Sequence, residues 1–215
     1  VAFDLPSSVA IESGGTVSLA LTLSDARTED ATVAFSTAGT ARIGGVDVTI
    51  TSVSPLVLPG GTTAASIDVS IVSDSIDELD EDLIVTLLTP TNCVLGGASQ
   101  HTLTITDDDD PPAISFSTPT STAIETDPAS AIGIELSVES SFDVTVPVTV
   151  GGTATEGVDF TWTPSTITIL AGETTAAVDV TPIDDAVVET SEIATFTLGA
   201  PTRATPRAVL PHEPQ

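Results

Sequence analysis

Apolar and polar residues alternate along most of this chain. Residues 16–23 place Val17, Leu19, Leu21 and Leu23 on one face. Ile67, Val69 and Ile71 repeat the pattern, as do Leu83, Val85 and Leu87, and then Leu103 and Ile105. Further on, Ile132, Ile134, Leu136 and Val138 alternate, followed by Val144, Val146, Val148 and Val150. A period of two, rich in Val, Ile and Thr and broken by clusters of Gly, Pro, Ser and Asp, marks half-buried antiparallel strands. No segment keeps the 3.6-residue period of a helix for three turns, so the pattern predicts an all-β chain.

The pattern also occurs twice. Ala10-Ile11-Glu12 returns as Ala123-Ile124-Glu125, an offset of 113 (124 − 11). Gly39-Thr40-Ala41 returns as Gly152-Thr153-Ala154, and Gly45-Val46-Asp47 as Gly157-Val158-Asp159. Gly60 with Thr62-Thr63-Ala64-Ala65 matches Gly172 with Thr174-Thr175-Ala176-Ala177, and Thr86-Leu87 matches Thr197-Leu198, by which point the offset is 111 (198 − 87). Matches in the same order with so little drift indicate duplication. About seven strands in about 110 residues imply an immunoglobulin-like β-sandwich. The chain therefore divides into two tandem antiparallel sandwiches, 1–110 and 111–215, joined at the stiff Pro111-Pro112 step.

Charge changes the picture of what such sandwiches could hold. Among 215 residues there are 31 acids and 4 bases, a formal charge of −27. That surface repels phosphate backbones and anionic lipid heads, which makes nucleic acid and membrane surfaces poor partners and divalent cations good ones. Scattered acids confer solubility and need no further role. The single cysteine, Cys93, excludes an intrachain disulfide and reads as a small core residue. No run of about 20 apolar residues exists to span a bilayer, and Val1 is followed by no basic n-region of a signal peptide.

Clustered acids are another matter. Glu12, Asp47, Asp74, Asp77, Glu78 and the run from Asp107 to Asp110 all stand at expected strand ends. Loops of a Greek-key sandwich gather at its two poles, so such acids can meet. Adjacent carboxylates 4 Å apart repel by about 1 kcal/mol in water and about 4 kcal/mol at an effective dielectric of 20. A set of hard oxygen donors without thiolate or imidazole suits Ca²⁺. Mg²⁺ prefers few carboxylates and retained water. Zinc would need His101, His212 and Cys93, which are scattered. For Asp47 a turn-capping role competes with ligation, and Asp110 reads as a solvated linker charge.

Other chemistry finds little support. The stretch Asp77-Glu78-Leu79-Asp80-Glu81-Asp82 lacks the glycine and flanking helices of an EF-hand. No nucleophile elbow, phosphate loop or dinucleotide fingerprint is present. Ser99 and His101 lie two apart on a strand without an orienting acid. Paired acids for glycoside hydrolysis would need sugar-stacking aromatics, and there is one Trp and no Tyr. Trp162 shares a strand face with Phe160 and reads as packing. Asn92 lies in no glycosylation sequon.

Gly-Val-Asp, then Leu-Pro-Gly-Gly-Thr, then Ile-Val-Ser-Asp-Ser-Ile-Asp-Glu-Leu-Asp-Glu, then Thr-Ile-Thr-Asp-Asp-Asp together resemble the Calx-beta domain. Two copies of that resemblance cover nearly the whole chain. Sodium–calcium exchangers carry the module as a cytosolic calcium sensor, and large bacterial surface and secreted proteins carry it in tandem arrays. The resemblance implies Ca²⁺ as ligand and places its acids on Glu12, Asp47, Asp74, Glu78, Asp107, Asp108 and Asp109. Val48 stands where an aromatic usually follows Asp47, and Ser73 where an acid is common.

The second copy keeps Glu125, Asp159 with Phe160, Asp184, Asp185, Glu189 and Glu192, but it loses the closing acidic strand. After Pro201 come Arg203 and Arg207, and a last strand is either short, at 208–210, or missing. The second copy is therefore expected to bind Ca²⁺ weakly or not at all. Its uncovered edge is expected to be either the result of a truncated chain or a place for a strand from a neighbour.

The leading expectation is a non-catalytic, calcium-binding structural module of a large extracellular bacterial protein, used for adhesion or filament assembly. Ca²⁺ would rigidify the Pro111-Pro112 joint, and the partners would be neighbouring repeats or subunits. A cytosolic sensor pair regulating a transporter and an accessory domain of a secreted hydrolase are the alternatives.

Overall fold

The computed structural model describes residues 1–188 and 190–207. Two compact units emerge: Val1–Asp74 with Leu79–Asp108, and Ser75–Glu78 with the chain from Asp109 onward. The expected joint at Pro111-Pro112 thus lies just past the point where the chain enters the second unit. No sequence pattern announces the separate assignment of Ser75–Glu78.

The strands of the first unit are β1 (Ala2–Phe3), β2 (Ser7–Ile11), β3 (Thr16–Thr22), β4 (Ala31–Val33) and β5 (Phe35–Gly39), then β6 (Val48–Ile50), β7 (Leu56–Leu58), β8 (Ala64–Ile71), β9 (Glu81–Leu87) and β10 (Gln100–Thr106). They form one sheet of order β1-β3-β8-β6, a second of order β2-β10-β9-β5, and the pair β4-β7. The alternation read from sequence is the reason the sheets stack. Leu19, Leu21, Ile67, Val69, Leu83, Val85 and Leu103 point inward and are 0–2% exposed, each such burial contributing about 1.5–3 kcal/mol. Strand β10 is central to its sheet, antiparallel to β9 and parallel to β2. That parallel pairing departs from an all-antiparallel expectation.

His101 on β10 is buried in this core. Its Nε2 lies 2.7 Å from Ser8 Oγ and its Nδ1 2.7 Å from the Leu5 carbonyl, and its ring packs 5.4 Å from Phe3. Both ring nitrogens have partners, as a buried imidazole requires. Cys93 packs against the same core, half-buried.

The second unit contains β11 (Ala113–Phe116), β12 (Ser130–Leu136), β13 (Val144–Gly152), β14 (Phe160–Thr163), β15 (Thr166–Ile169), β16 (Thr175–Pro182), β17 (Ala194–Leu198) and β18 (Thr205–Pro206). Its sheets run β14-β16-β12-β11-β18 and β15-β13-β17. Ile114, Ile134, Val144, Val146, Ile167, Ile169 and Val178 make its core. Phe196 joins Phe160 and Trp162 edge-on, at 6.1 and 5.6 Å, which makes packing the role of Trp162. Strand β18 is two residues long and pairs in parallel with β11. The strand expected at 208–210 falls outside the described residues.

Gly39 and Gly152 show the duplication at backbone level. Both have positive φ, 118° and 113°. A Cβ at either would sit 2.0 Å from a carbonyl oxygen, that of Asp82 or that of Ile193. Gly39 pairs with Leu83 of β9 and Gly152 with Ala194 of β17, so the register is the same in both units.

Candidate metal centre

The first acidic side chain arrives on a single 3-10 turn, Glu12–Gly14, between β2 and β3. Gly15 leaves that turn with φ 75°, a conformation glycine adopts without strain. The Gly15 carbonyl accepts the Ile71 amide at 2.9 Å, which docks the turn against the end of β8. Three residues beyond β8, the Asp74 amide donates to Glu12 Oε1 at 2.8 Å. Glu12 is 8% exposed, an unusual depth for a carboxylate.

The closing run of acids reaches the same place. The Ser13 hydroxyl donates to Asp108 Oδ2 at 2.6 Å, and the Ser13 amide to Oδ1 at 3.3 Å. The Asp107 amide donates to Asp80 Oδ1 at 3.2 Å. Glu12, Asp74 and Asp109 each present a carboxylate oxygen, all within 4.8 Å of one another. Oxygens bound to one Ca²⁺ at 2.3–2.6 Å lie at most about 5 Å apart, so these three fit such an ion. Their mutual repulsion is about 3–4 kcal/mol per pair at an effective dielectric of 20, which a dication relieves. Among the described residues this is the one group of three or more potential metal ligands.

Asp47 and Glu78 are engaged elsewhere. Asp47 closes its turn by accepting the Arg42 amide at 2.5 Å, and it pairs with the Arg42 guanidinium at 3.2 Å. Burial raises its pKa, but hydrogen bonds from the Arg42 side chain and backbone, a hydrogen bond with Glu81 and the Arg42 charge outweigh it, so the carboxyl sits below the usual range. The turn-capping role anticipated for Asp47 is therefore present. Its backbone still touches the cluster's scaffold, since its carbonyl accepts the Val72 amide at 2.8 Å. Glu78 belongs to the second unit, where its Oε1 accepts the Ser141 hydroxyl at 2.7 Å. Neighbouring Asp77 is 9% exposed, and its carbonyl accepts the Ser141 amide at 3.1 Å.

Sequence reasoning passed over three participants. Glu81 bonds Asp47, Asp80 orients Asp107, and Ser13 holds Asp108. Ser13 directly follows a candidate ligand, and Asp80 and Glu81 lie in the acidic stretch Asp77–Asp82, which is no EF-hand. That adjacency was the available signal.

In the second unit Asp159 repeats the capping geometry. It accepts the Thr155 amide at 2.5 Å, and its carbonyl takes the Ile183 amide at 2.9 Å. Asp185 accepts the Val187 amide at 2.6 Å. Arg203 stacks on Phe142, 3.8 Å from the ring centroid. Glu189 lies outside the described residues.

Two repeated β-sandwiches, with a carboxylate cluster where the opening turn, the end of β8 and the acid run that follows β10 converge, define a class of cation-binding module. The chain belongs to the Calx-beta domain family, whose sequence model matches residues 1–109 and again 107–214. The first match takes in Glu12, Asp74 and Asp109 together. Ca²⁺ is the ligand expected of such domains. No curated protein matches the chain. Among solved structures it is similar to CBD12 from CALX1.2, at 20% identity and a TM-score of 0.44, over 94% of this chain and 80% of that one. It is likewise similar to the calcium binding domain CBD12 of CALX1.1, at 20% identity and a TM-score of 0.46, over 96% and 82%. The apo form of the Calx CBD1 domain matches at 21% identity and a TM-score of 0.42, covering 50% of this chain and 96% of that one. No helix among the described residues is long and apolar enough to cross a membrane.

Proposed function

We propose that this chain is a non-catalytic, calcium-binding structural module of a large extracellular bacterial protein, serving adhesion or the assembly of a filament or surface layer. The observation that carries the calcium part is the approach of the Glu12, Asp74 and Asp109 carboxylates within 4.8 Å. These three are the proposed ligands. Asp107 and Asp108 add negative charge beside them, and Asp47 and Glu78 are the members of the expected set that contribute least. A bound dication supplies charge neutralisation and cross-links the first turn, the end of β8 and the end of β10. Neutralising the run Asp107 to Asp110 also stiffens the stretch that leads into Pro111-Pro112. The extracellular setting is supported by composition: Thr, Ser, Ala and Val are abundant and Lys is absent. Neighbouring repeats or subunits of the same surface protein are the proposed partners.

Titration calorimetry of the full chain with CaCl₂, and with MgCl₂ as control, tests the reading. A dissociation constant of about 10⁻⁴–10⁻³ M is expected of an extracellular module. Asp74→Asn and Glu12→Gln should each weaken it at least about tenfold, because each removes one of three charges around the ion. No heat and no thermal shift at 10 mM (roughly ten times the weakest such constant) would remove the metal from the account. The tandem family match suits the second reading, a sensor pair regulating a transporter, equally well. A constant of about 10⁻⁷–10⁻⁵ M would favour that reading instead.

A further inference from the structure

The second unit takes in a segment from earlier in the chain, Ser75–Glu78. It is held on the turn Ser140-Ser141-Phe142, just ahead of β13. The Asp77 carbonyl accepts the Ser141 amide at 3.1 Å, and Asp77 forms an isolated parallel bridge with Ser140. The Ser140 hydroxyl lies 3.5 Å from the Asp77 carboxylate, and the Ser141 hydroxyl donates to Glu78 Oε1 at 2.7 Å. Asp77 and Ser140 are 9% and 2% exposed, so this contact is buried.

The duplication supplies both halves of that contact a second time, and there each half is exposed. The Val72 amide donates to Asp47 as Ile183 donates to Asp159, and Asp82 accepts from Thr40 as Ile193 accepts from Thr153. Both pairs give an offset of 111 (183 − 72 and 193 − 82), so Ala186–Val188 are the counterparts of Ser75–Asp77. Val187 and Val188 are 62% and 99% exposed. The turn repeats as well. Gly61 donates to the Arg27 carbonyl as Gly172 does to that of Ser140, and the Asp30 carboxylate accepts from Gly60 as that of Asp143 accepts from Ala171. Both pairs give an offset of 113 (140 − 27 and 143 − 30), which sets Arg27, Thr28 and Glu29 in the places of Ser140, Ser141 and Phe142. Those three residues, with Asn92, Cys93 and Val94, line an open groove of about 400 Å³ in the first unit.

The two exposed halves have changed together. Asp77 against Ser140 sets a carboxylate beside a hydroxyl; the counterparts set Val188 against Arg27. A valine needs no hydroxyl, and the arginine stem offers it apolar surface. Val94 is 75% exposed in the same groove, and the Cys93 thiol beside it behaves as a small apolar group. Asp184 and Asp185 precede the two valines, and Arg27 is one of only four bases in the chain. Charge therefore favours approach at this contact, offset in part by Glu29 and by the net charge of −27. The Asp185 carboxylate accepts the Val187 amide at 2.6 Å, which shapes the segment before any partner arrives.

We propose that Ala186–Val188 of one molecule dock on the Arg27–Glu29 groove of a second copy of this chain, as Ser75–Asp77 dock on Ser140–Phe142. The Val188 carbonyl accepts the Thr28 amide, and the valine side chains cover the Arg27 stem, Cys93 and Val94. Segment and groove belong to different units, so the contact is heterologous and repeats head to tail into open chains of molecules. Repeat proteins join neighbour to neighbour through one recurring contact, and the recurring contact here is the one already buried at Asp77. The inference rests on the assembly part of the proposed function and names its contact, but it needs no metal. So short a segment covers less than the roughly 1,000 Å² of a stable interface, so the association is weak and reversible.

Sedimentation velocity of the full chain tests this from about 10 μM to about 1 mM, since a contact this small needs concentrations of that order. The runs are made with EDTA and again with Ca²⁺, and growth of the average mass past the dimer in either medium supports the proposal. Val187→Asp with Val188→Asp breaks the segment, and Arg27→Glu with Val94→Asp breaks the groove. All four positions are exposed, so neither variant threatens the fold. Each variant alone should associate at least about tenfold more weakly. Mixed in equal amounts, the two should form dimers and nothing larger, because one intact segment then meets one intact groove. Three results would overturn the proposal. They are a wild-type chain that stays monomeric throughout, growth that stops at the dimer (a two-fold contact), and variants that associate as the wild type does. The last leaves the assembly reading standing with its contact elsewhere. Loss of association with the Ca²⁺ heat retained sinks this inference alone, and association without that heat sinks the calcium reading alone.

Discussion

Strands β9 and β17 carry equivalent segments, Thr86-Leu87 in one and Thr197-Leu198 in the other, yet they live in different surroundings. In the first unit β10 closes over β9; among the described residues eighteen make the buried core there and nine in the second unit. One strand contributes more than its own side chains. Leu103 and Ile105 on β10 are 0 and 5% exposed, and they also seal the inward face of the strand beside them. The same strand ends in the acid run that joins Glu12 and Asp74. In the first unit, then, one element both covers the strand beside it and leads into the carboxylate cluster, and no second such cluster occurs among the described residues.

The sharpest way to break this comparison is to delete the same side chain twice. Leu87→Ala should cost about 2–5 kcal/mol, the range for a fully buried leucine. Leu198→Ala, at a partly buried position, should cost about 1 kcal/mol. Urea unfolding followed at residues of each unit measures both, and equal losses would mean that β17 is sealed after all. The glycines should behave oppositely. Gly39→Ala and Gly152→Ala meet the same carbonyl contact at the same φ, so each should destabilise its own unit by a similar amount, about 1–3 kcal/mol. A large difference between them would show that the duplicated register is not equally tight.

Chelation should separate the units again. Ca²⁺ at ten times its dissociation constant should stabilise the first unit by about 1.4 kcal/mol and leave the second unchanged, read as melting temperature with Ca²⁺ and with EDTA. The smallest effect is expected at Asp47. Its folded pKa is lowered, so its contribution is present above the unfolded carboxylate pKa and fades as pH falls through the folded value. Asp47→Asn should cost about 1 kcal/mol or less at pH 7, because Arg42 is largely exposed. That difference should shrink toward zero in acid, as denaturation at pH 7 and at pH 2–3 would show (pH 2–3 lying below the ordinary carboxylate pKa of about 3.9).

Much of the fold was legible in the chain because alternation is a local signal. Val17, Leu19 and Leu21, or Val144, Val146 and Val148, declare an inward face without knowledge of what lies opposite. Part of the site was legible as well: the acids at Glu12, Asp74 and the closing run stand at strand ends, where sandwich loops gather. Ligation was harder to sort from capping. Asp47 sits in a fitting motif, but whether it meets a metal or Arg42 depends on a guanidinium five residues away turning back on it. Glu78 is four residues along the chain from Asp74, yet it belongs to the other unit, where it accepts the Ser141 hydroxyl.

The sequence by itself determined the all-β class, the duplication and the acidic closing run of the first copy, since each is written in composition, period or order. Only the tertiary structure decided which three carboxylates converge, which acids are consumed by Arg42 and Ser141, and that β17 pairs with β13 alone among the described residues. Convergence and exposure arise from pairings between residues tens of positions apart, and chain order carries no distance between strands until the sheets have stacked.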